Sequence, residues 1–334
     1  MPDFTLTRFR FTLELLGSGH LPPYKGSTIR GAVGTALHDM ACKHRGRRCE
    51  GCPQLESCVY IRLFKPDQMP GKSIPAGYVI DPPHMKETYF KAGDSLTFTL
   101  TLFGRASEHI GAWIEAVRHC GEHCGLGGGH LKFCLKTVEC LGPDGEVVLF
   151  WKDGAFCPGQ TVTSITPADL FAPAAGSGGT IAVRLLTPMK LKDGGGVSAT
   201  LDARVFFEAL ARRLKTLARF YHEADALFAD LSSDIALAAM ENTNLRWVVL
   251  ERPSRTQQSS VNLGGFVGTF ILRHVSPRLQ ALLRLGELTH IGRNTVCGCG
   301  KYRLEQFGAG LPDRICAQVG VLRPGHCQEV RTCS

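Results

Sequence analysis

"LLRLGELTHIGRNTVCGCGKYRL", residues 282–304, decides the fold once it is set beside "WIEAVRHCGEHCGLGGGHLKF", residues 113–133. Each stretch runs from a helix-period apolar segment, through a glycine-rich turn, into a basic strand. A phosphate loop does not explain the second one. That motif needs a glycine five places before its Gly-Lys pair and a Ser or Thr after it, and here those places hold Thr295 and Tyr302. A phosphate loop also enters its helix N-terminus, whereas this turn leaves a helix. The repeated pattern therefore reads as a duplication at domain scale.

Working outward, the first half reads as strand 4–16, helix 27–41, a cysteine-rich insertion 42–58, strands near 76–81 and 95–103, the helix in "SEHIGAWIEAVRHC" and a strand running to 140. The second half reads as a strand in "GTIAVRLLTPM", a helix from Asp202, strands at 245–252 and 262–273 and a helix over 276–290. In the Asp202 helix, Val205, Phe206, Ala209, Leu210, Leu214 and Leu217 keep a helical period. Ser276-Pro277 supplies a cap and a first-turn proline for the last helix. Both halves thus give β-α-β-β-α-β, and the fold class is α+β with two tandem ferredoxin-like domains. The expected domains are 1–155, carrying the insertion, and 178–310, with a tail at 311–334. They join through the Pro-, Gly- and Ala-rich "PADLFAPAAGSGG".

Composition sets the outer limits. The 334 residues are 44% hydrophobic and 20% charged, enough to bury a sizeable core. Lys plus Arg number 38 against 30 Asp plus Glu, a formal charge of +8, which permits a polyanionic partner without requiring one. No apolar run reaches the ~20 residues of a membrane helix. The start, "MPDFTLTRFRFTLELLG", alternates like a strand rather than a signal peptide. These features give a cytoplasmic expectation, with the fourteen cysteines as thiols or metal ligands.

"LPPYKGSTIRGAVGTALHDM", followed by a cysteine cluster and "YIRLFKP", resembles the start of CRISPR-associated RAMP proteins. "NLGGFVGTF" and residues 282–304 are similar to the C-terminal half of the branch that cuts CRISPR precursor transcripts into guide RNAs. The resemblance covers roughly residues 4–305. It implies a basic cleft between the two domains that holds repeat RNA, and metal-independent cleavage by the ribose 2′-hydroxyl. It also implies a histidine for proton transfer, assisted by a tyrosine or lysine. A non-catalytic RAMP subunit holding guide RNA in an interference complex is the alternative.

On the helix after Ser27, Ile29, Val33, Ala36, Leu37 and Met40 form an apolar stripe at 100° per residue. His38 lies opposite Ile29, and Ser27, Arg30, Gly31 and Gly34 share its face, small enough to admit a sugar-phosphate backbone. With the resemblance, His38 becomes the candidate proton-transfer group, Tyr24 and Lys43 its helpers with His44 beside them, and His20 the rival base. Arg30, Lys132, Arg255, Arg293 and Lys301 are the candidate RNA-binding cations, and Gly292, Gly298 and Gly300 would let the RNA backbone approach. Cys42, Cys49, Cys52 and Cys58 place four soft ligands in seventeen residues, a set suited to a structural zinc ion or an iron–sulfur cluster with no part in catalysis.

Overall fold

The computed structural model describes residues 4–44, 49–71, 73–170, 179–222, 230–253 and 260–305. The first half contains β1 (Leu6–Leu15), β2 (Gly19–His20), α1 (Gly26–Ala41), α2 (Val59–Phe64), β3 (Tyr78–Asp81), β4 (Tyr89–Phe90), β5 (Ser95–Phe103), α3 (Ile110–His119), β6 (Phe133–Leu141), β7 (Val147–Lys152) and β8 (Ala155–Phe156). After the short α4 (Pro167–Leu170) come β9 (Ile181–Met189), the hairpin β10 (Lys192–Asp193) and β11 (Gly196–Val197), α5 (Ala203–Tyr221), α6 (Ser232–Leu237) and β12 (Ala239–Val248). A second hairpin, β13 (Glu251–Pro253) and β14 (Ser260–Asn262), leads to β15 (Gly265–Arg273), α7 (Pro277–Thr289) and β16 (Tyr302–Glu305).

The first sheet has the order β3-β5-β1-β6-β7-β8 and the second β12-β15-β9-β16. Every ladder in them is antiparallel. Four strands of each sheet follow the ferredoxin-like order, with the first strand of the repeat between the third and the fourth. The two repeats read in the sequence are thus two such sheets. Strands β7 and β8 extend the first one beyond the pattern the sequence suggested.

Alternation along β1 sends Phe9, Phe11 and Leu13 into one core, opposite Leu100, Phe98 and Leu96 of β5. The Phe11 and Phe98 rings stack at 4.9 Å. The second core is built on α5 and α7, whose N-termini are capped as their sequences imply. Asp202 accepts from Val205 N at 2.7 Å, and Ser276 accepts from Leu279 N at 3.3 Å.

The two cores are not separate bodies. Phe4, Leu6, Val79 and Phe103, all from the first half, are buried in the second cluster. Strand β3 divides its side chains between the cores: Tyr78 and Ile80 enter the first and Val79 the second. Burying each of these side chains is worth on the order of 2 kcal/mol, so the apolar interface is a major attachment between the repeats.

Two details of α1 differ from the helical-wheel reading. Met40 is exposed, because the last turn of the helix runs out past the core. The face of small residues is covered by α2, an element whose six residues are too short to show a period. A Cβ on Gly34 would collide with the Phe64 ring. Replacing Gly298 is the sharper test of backbone constraint. Its φ is +86°, and a Cβ there would meet Pro82 and stand 2.7 Å from the Ile80 carbonyl oxygen. Gly298→Ala should cost on the order of 2–3 kcal/mol in denaturant unfolding. Gly129→Ala, where a Cβ meets nothing within 4 Å, should stay within about 0.5 kcal/mol.

Candidate active site and nucleic-acid interface

Helix α7 ends at His290 (φ 53°), and the glycine-rich loop turns back beneath it toward the first half of the chain. Here the loop is locked. Tyr24 Oη donates to the Cys297 carbonyl at 2.7 Å, and a Cβ on Gly26, at the start of α1, would run into that same carbonyl. Thr187 Oγ1 donates to the Gly298 carbonyl at 2.8 Å and accepts from Lys301 N at 2.9 Å. The Lys301 ammonium pairs with Asp81 of β3 and lies 3.1 Å from His84 Nε2.

Asp81 and Lys301 are only 13% and 17% exposed, so their pairing joins the repeats in a partly dry setting. Burial alone would raise the Asp81 carboxyl. The hydrogen bond from His84 and the charge of Lys301 outweigh it and hold the group well below the usual carboxylate range. His290 is buried beside this pair, and its Nδ1 has no hydrogen-bond partner among the described residues. Burial pushes its imidazole down to about 3, with Asp81 opposing and Lys301 reinforcing the shift, so the ring is neutral.

At the other end of α1, His38 sits in the last turn with its side chain 32% exposed. Its ring meets Tyr60 edge-on at 4.9 Å, and Nδ1 lies 3.6 Å from Asp39 Oδ1. His38, His44, Cys42, Cys49, Cys52 and Cys58 line one small cavity of about 20 Å³. Burial, and then the neighbouring thiols, raise the Cys49 thiol, although Lys65 opposes them. As placed, no three His, Cys, Asp or Glu side chains among the described residues form a metal-holding group.

A family model described as CRISPR-associated endoribonuclease Cas6 matches residues 183–302, the repeat that ends in the glycine-rich loop. That stretch of the chain is thus similar to the Cas6 family. A second model, the AF_1859_N N-terminal domain, matches residues 4–164. An uncharacterized protein of Archaeoglobus fulgidus is 29% identical over 105 residues, 31% of this chain and 36% of its own length. Among solved structures, a Cas6 product complex aligns over 90% of this chain and 99% of its own at 17% identity and a TM-score of 0.55. Thermus thermophilus Cas6 aligns over 91% and 100% at 15% identity and a TM-score of 0.51. A partial Cas6-RT-Cas1–Cas2 complex aligns over 91% of this chain at 14% identity and a TM-score of 0.59. The chain spans 47% of that last protein, less than half its length. At such identities these structures establish the shared fold.

The residues singled out in the sequence do not gather at one point. Tyr24 precedes α1 and His38 is near its end, and the intervening helix separates them by about 20 Å. Tyr24 is a latch on the loop rather than a helper to His38, and burial lifts its phenol well above the ordinary value, so it remains a donor. Lys43 is exposed two residues beyond α1, on the His38 side. Arg30 is turned inward: its guanidinium lies 4.5 Å from the Phe64 ring centroid, stacked on the helix that covers the small face. Lys132 closes the first glycine-rich turn by donating to the Glu122 carbonyl at 2.8 Å.

Lys301 is committed to Asp81. Gly298 is packed on Pro82, while Gly292 and Gly300 press on the Lys190 and Ile291 carbonyls. The second glycine-rich loop is thus close-packed for internal reasons. Arg293 stands exposed on it. The first turn is the open one, since a Cβ added at Gly128 or Gly129 would meet nothing within 4 Å. His20 is exposed beside the Tyr89 ring, at 5.0 Å. Arg255 and the tail at 311–334 lie outside the described residues. Among the described residues no helix is long and apolar enough to cross a membrane.

The buried groups set a pH dependence. His290 has a folded value of about 3 against about 6.5 unfolded, so the unfolded chain binds the extra proton and stability falls as pH drops from about 6.5 toward 3. Asp81 is likewise depressed and adds its loss below about pH 4. His290→Asn keeps a residue that tolerates positive φ and removes the titration. Denaturant unfolding across pH 4–6.5 should show a slope shallower by about 1 kcal/mol per pH unit than in the unmodified protein.

Proposed function

We propose that this protein is an endoribonuclease that cleaves CRISPR precursor RNA within its repeats to release guide RNAs. The observation that carries the reading is the Cas6 match over 183–302, on a duplicated ferredoxin-like frame that continues to residue 4. The two repeats serve as domains 1–155 and 178–310, with repeat RNA lying against both.

The nucleophile is the substrate's own 2′-hydroxyl, so the chemistry needs no metal-generated hydroxide. Its oxygen attacks the adjacent phosphorus, the bond to the 5′-oxygen breaks, and the products carry a 2′,3′-cyclic phosphate and a 5′-hydroxyl. One proton leaves the 2′-hydroxyl and one reaches the departing oxygen. His38 is assigned to proton transfer because its imidazole is partly exposed and an imidazole can accept or donate a proton, and Lys43 supplies charge for the phosphate. In excess EDTA the protein should cut its cognate repeat RNA. His38→Ala should bind that RNA normally and cut about 100- to 10,000-fold more slowly. Equal cutting by the variant moves the chemistry to His20, which is also exposed. Binding without cutting by either protein makes the chain a guide-RNA holder.

The cysteine insertion is assigned a structural ion. Four thiols border a cavity large enough for one water-sized occupant, and binding would draw them closer than they stand. Zinc suits four such soft donors, with an iron–sulfur cluster as the second choice. Elemental analysis of the purified protein should give about one zinc per chain, absent from a Cys49→Ser/Cys52→Ser variant with a lower Tm. A metal-free protein with an unchanged Tm in that variant removes the assignment.

A further inference from the structure

Trp113 and Trp151 are each 2% exposed, as tryptophans in a folded core usually are, but Trp247 is 41% exposed near the end of β12. Its ring is braced by Phe266 of β15 in a T-shaped pair, with centroids 5.0 Å apart and planes at 88°, so an exposed aromatic side chain is held in place. The Lys190 ammonium lies 5.8 Å from that ring. Lys190 is itself only 9% exposed and is held there by two bonds of 3.1 Å to the backbone and side-chain oxygens of Asn262, which leave one of its three donors uncommitted.

The Lys190 carbonyl accepts from Arg293 N at 2.9 Å, anchoring the backbone of the exposed Arg293 beside Lys190. Burial, and then the Arg293 charge, lower the Lys190 ammonium, with Cys299 opposing them. Among the described residues, no carboxylate forms an ion pair with either cation. A flat apolar surface beside two unneutralised cations matches one nucleotide: a base to cover the ring and a phosphate to meet the charges.

We propose that Trp247 is a stacking platform for an unpaired base of bound RNA, with the exposed Arg293 receiving the adjoining phosphate and Lys190 adding its charge beside the ring. This rests on the reading of the chain as an RNA-binding protein, but not on cleavage. It gives the glycine-rich loop a role its glycines do not play: their close packing fixes where Arg293 stands. Because stacking is tolerant of base identity, the platform holds a single-stranded segment in place rather than reading its sequence.

The test uses the full chain with two probes, the cognate repeat RNA and an oligo(A) of about 15 nucleotides. Of the three tryptophans, Trp247 alone is open to solvent, so the acrylamide-quenchable part of the emission reports on it. Saturating RNA should quench that emission and shield it from acrylamide, and Trp247→Phe should abolish the response. Trp247→Ala should weaken binding of both RNAs about 5- to 100-fold, with Trp247→Phe restoring most of the affinity. Unchanged emission at saturation, or unchanged affinity in Trp247→Ala, overturns the platform and leaves the ring as a protein-docking surface. A chain that responds to oligo(A) without cutting repeat RNA keeps the platform and loses the nuclease. One that cuts with its emission unmoved keeps the nuclease and loses the platform.

Discussion

The architecture depends on the contact between the glycine-rich loop and β3. Each repeat could close its own sheet, but neither alone could hold Lys301 against Asp81 or the Cys297 carbonyl against Tyr24. A charge pair this sheltered is costly to assemble and costlier to break on one side only, because the survivor would be left without water or partner. Its value here is directional. It fixes the register of the loop against the first half, where the purely apolar contacts of Val79, Phe103 and Leu6 would tolerate sliding.

That arrangement puts α1 to two uses. Its beginning abuts the interlocked loop, while its end, past the covered small face, carries His38 beside the cysteine insertion. The part of the helix that meets the loop and the part that carries the proposed proton-transfer group are therefore different parts. A substitution near Gly26 alters how the repeats sit, and one near His38 alters only the local surface.

Much of the fold was legible because it was periodic. Strand alternation in β1, the helical spacing of α5 and the Ser276-Pro277 start of α7 each carry their signal within a few residues. What stayed hidden was tertiary. Nothing local in "VYIRLF" announces that it will cover the small face of α1, and nothing in "GCGKYR" shows that the lysine will find a carboxylate 220 positions earlier. The glycines were read as openings because a glycine cannot say, from sequence alone, whether the backbone coming close to it belongs to a ligand or to the protein itself. The exposed Trp247 was missed for the converse reason: tryptophan in a strand ordinarily signals a core.

The sharing of β3 between two cores has a consequence for synthesis. The first half leaves the ribosome with Phe4, Leu6, Val79 and Phe103 already in place, yet the side chains that shelter them extend to Tyr302. At translation speeds of about 5–20 residues per second, that greasy stripe waits roughly 10–40 s for its cover. A nascent chain of this design has a defined window in which a chaperone, or a neighbouring copy, can reach it first.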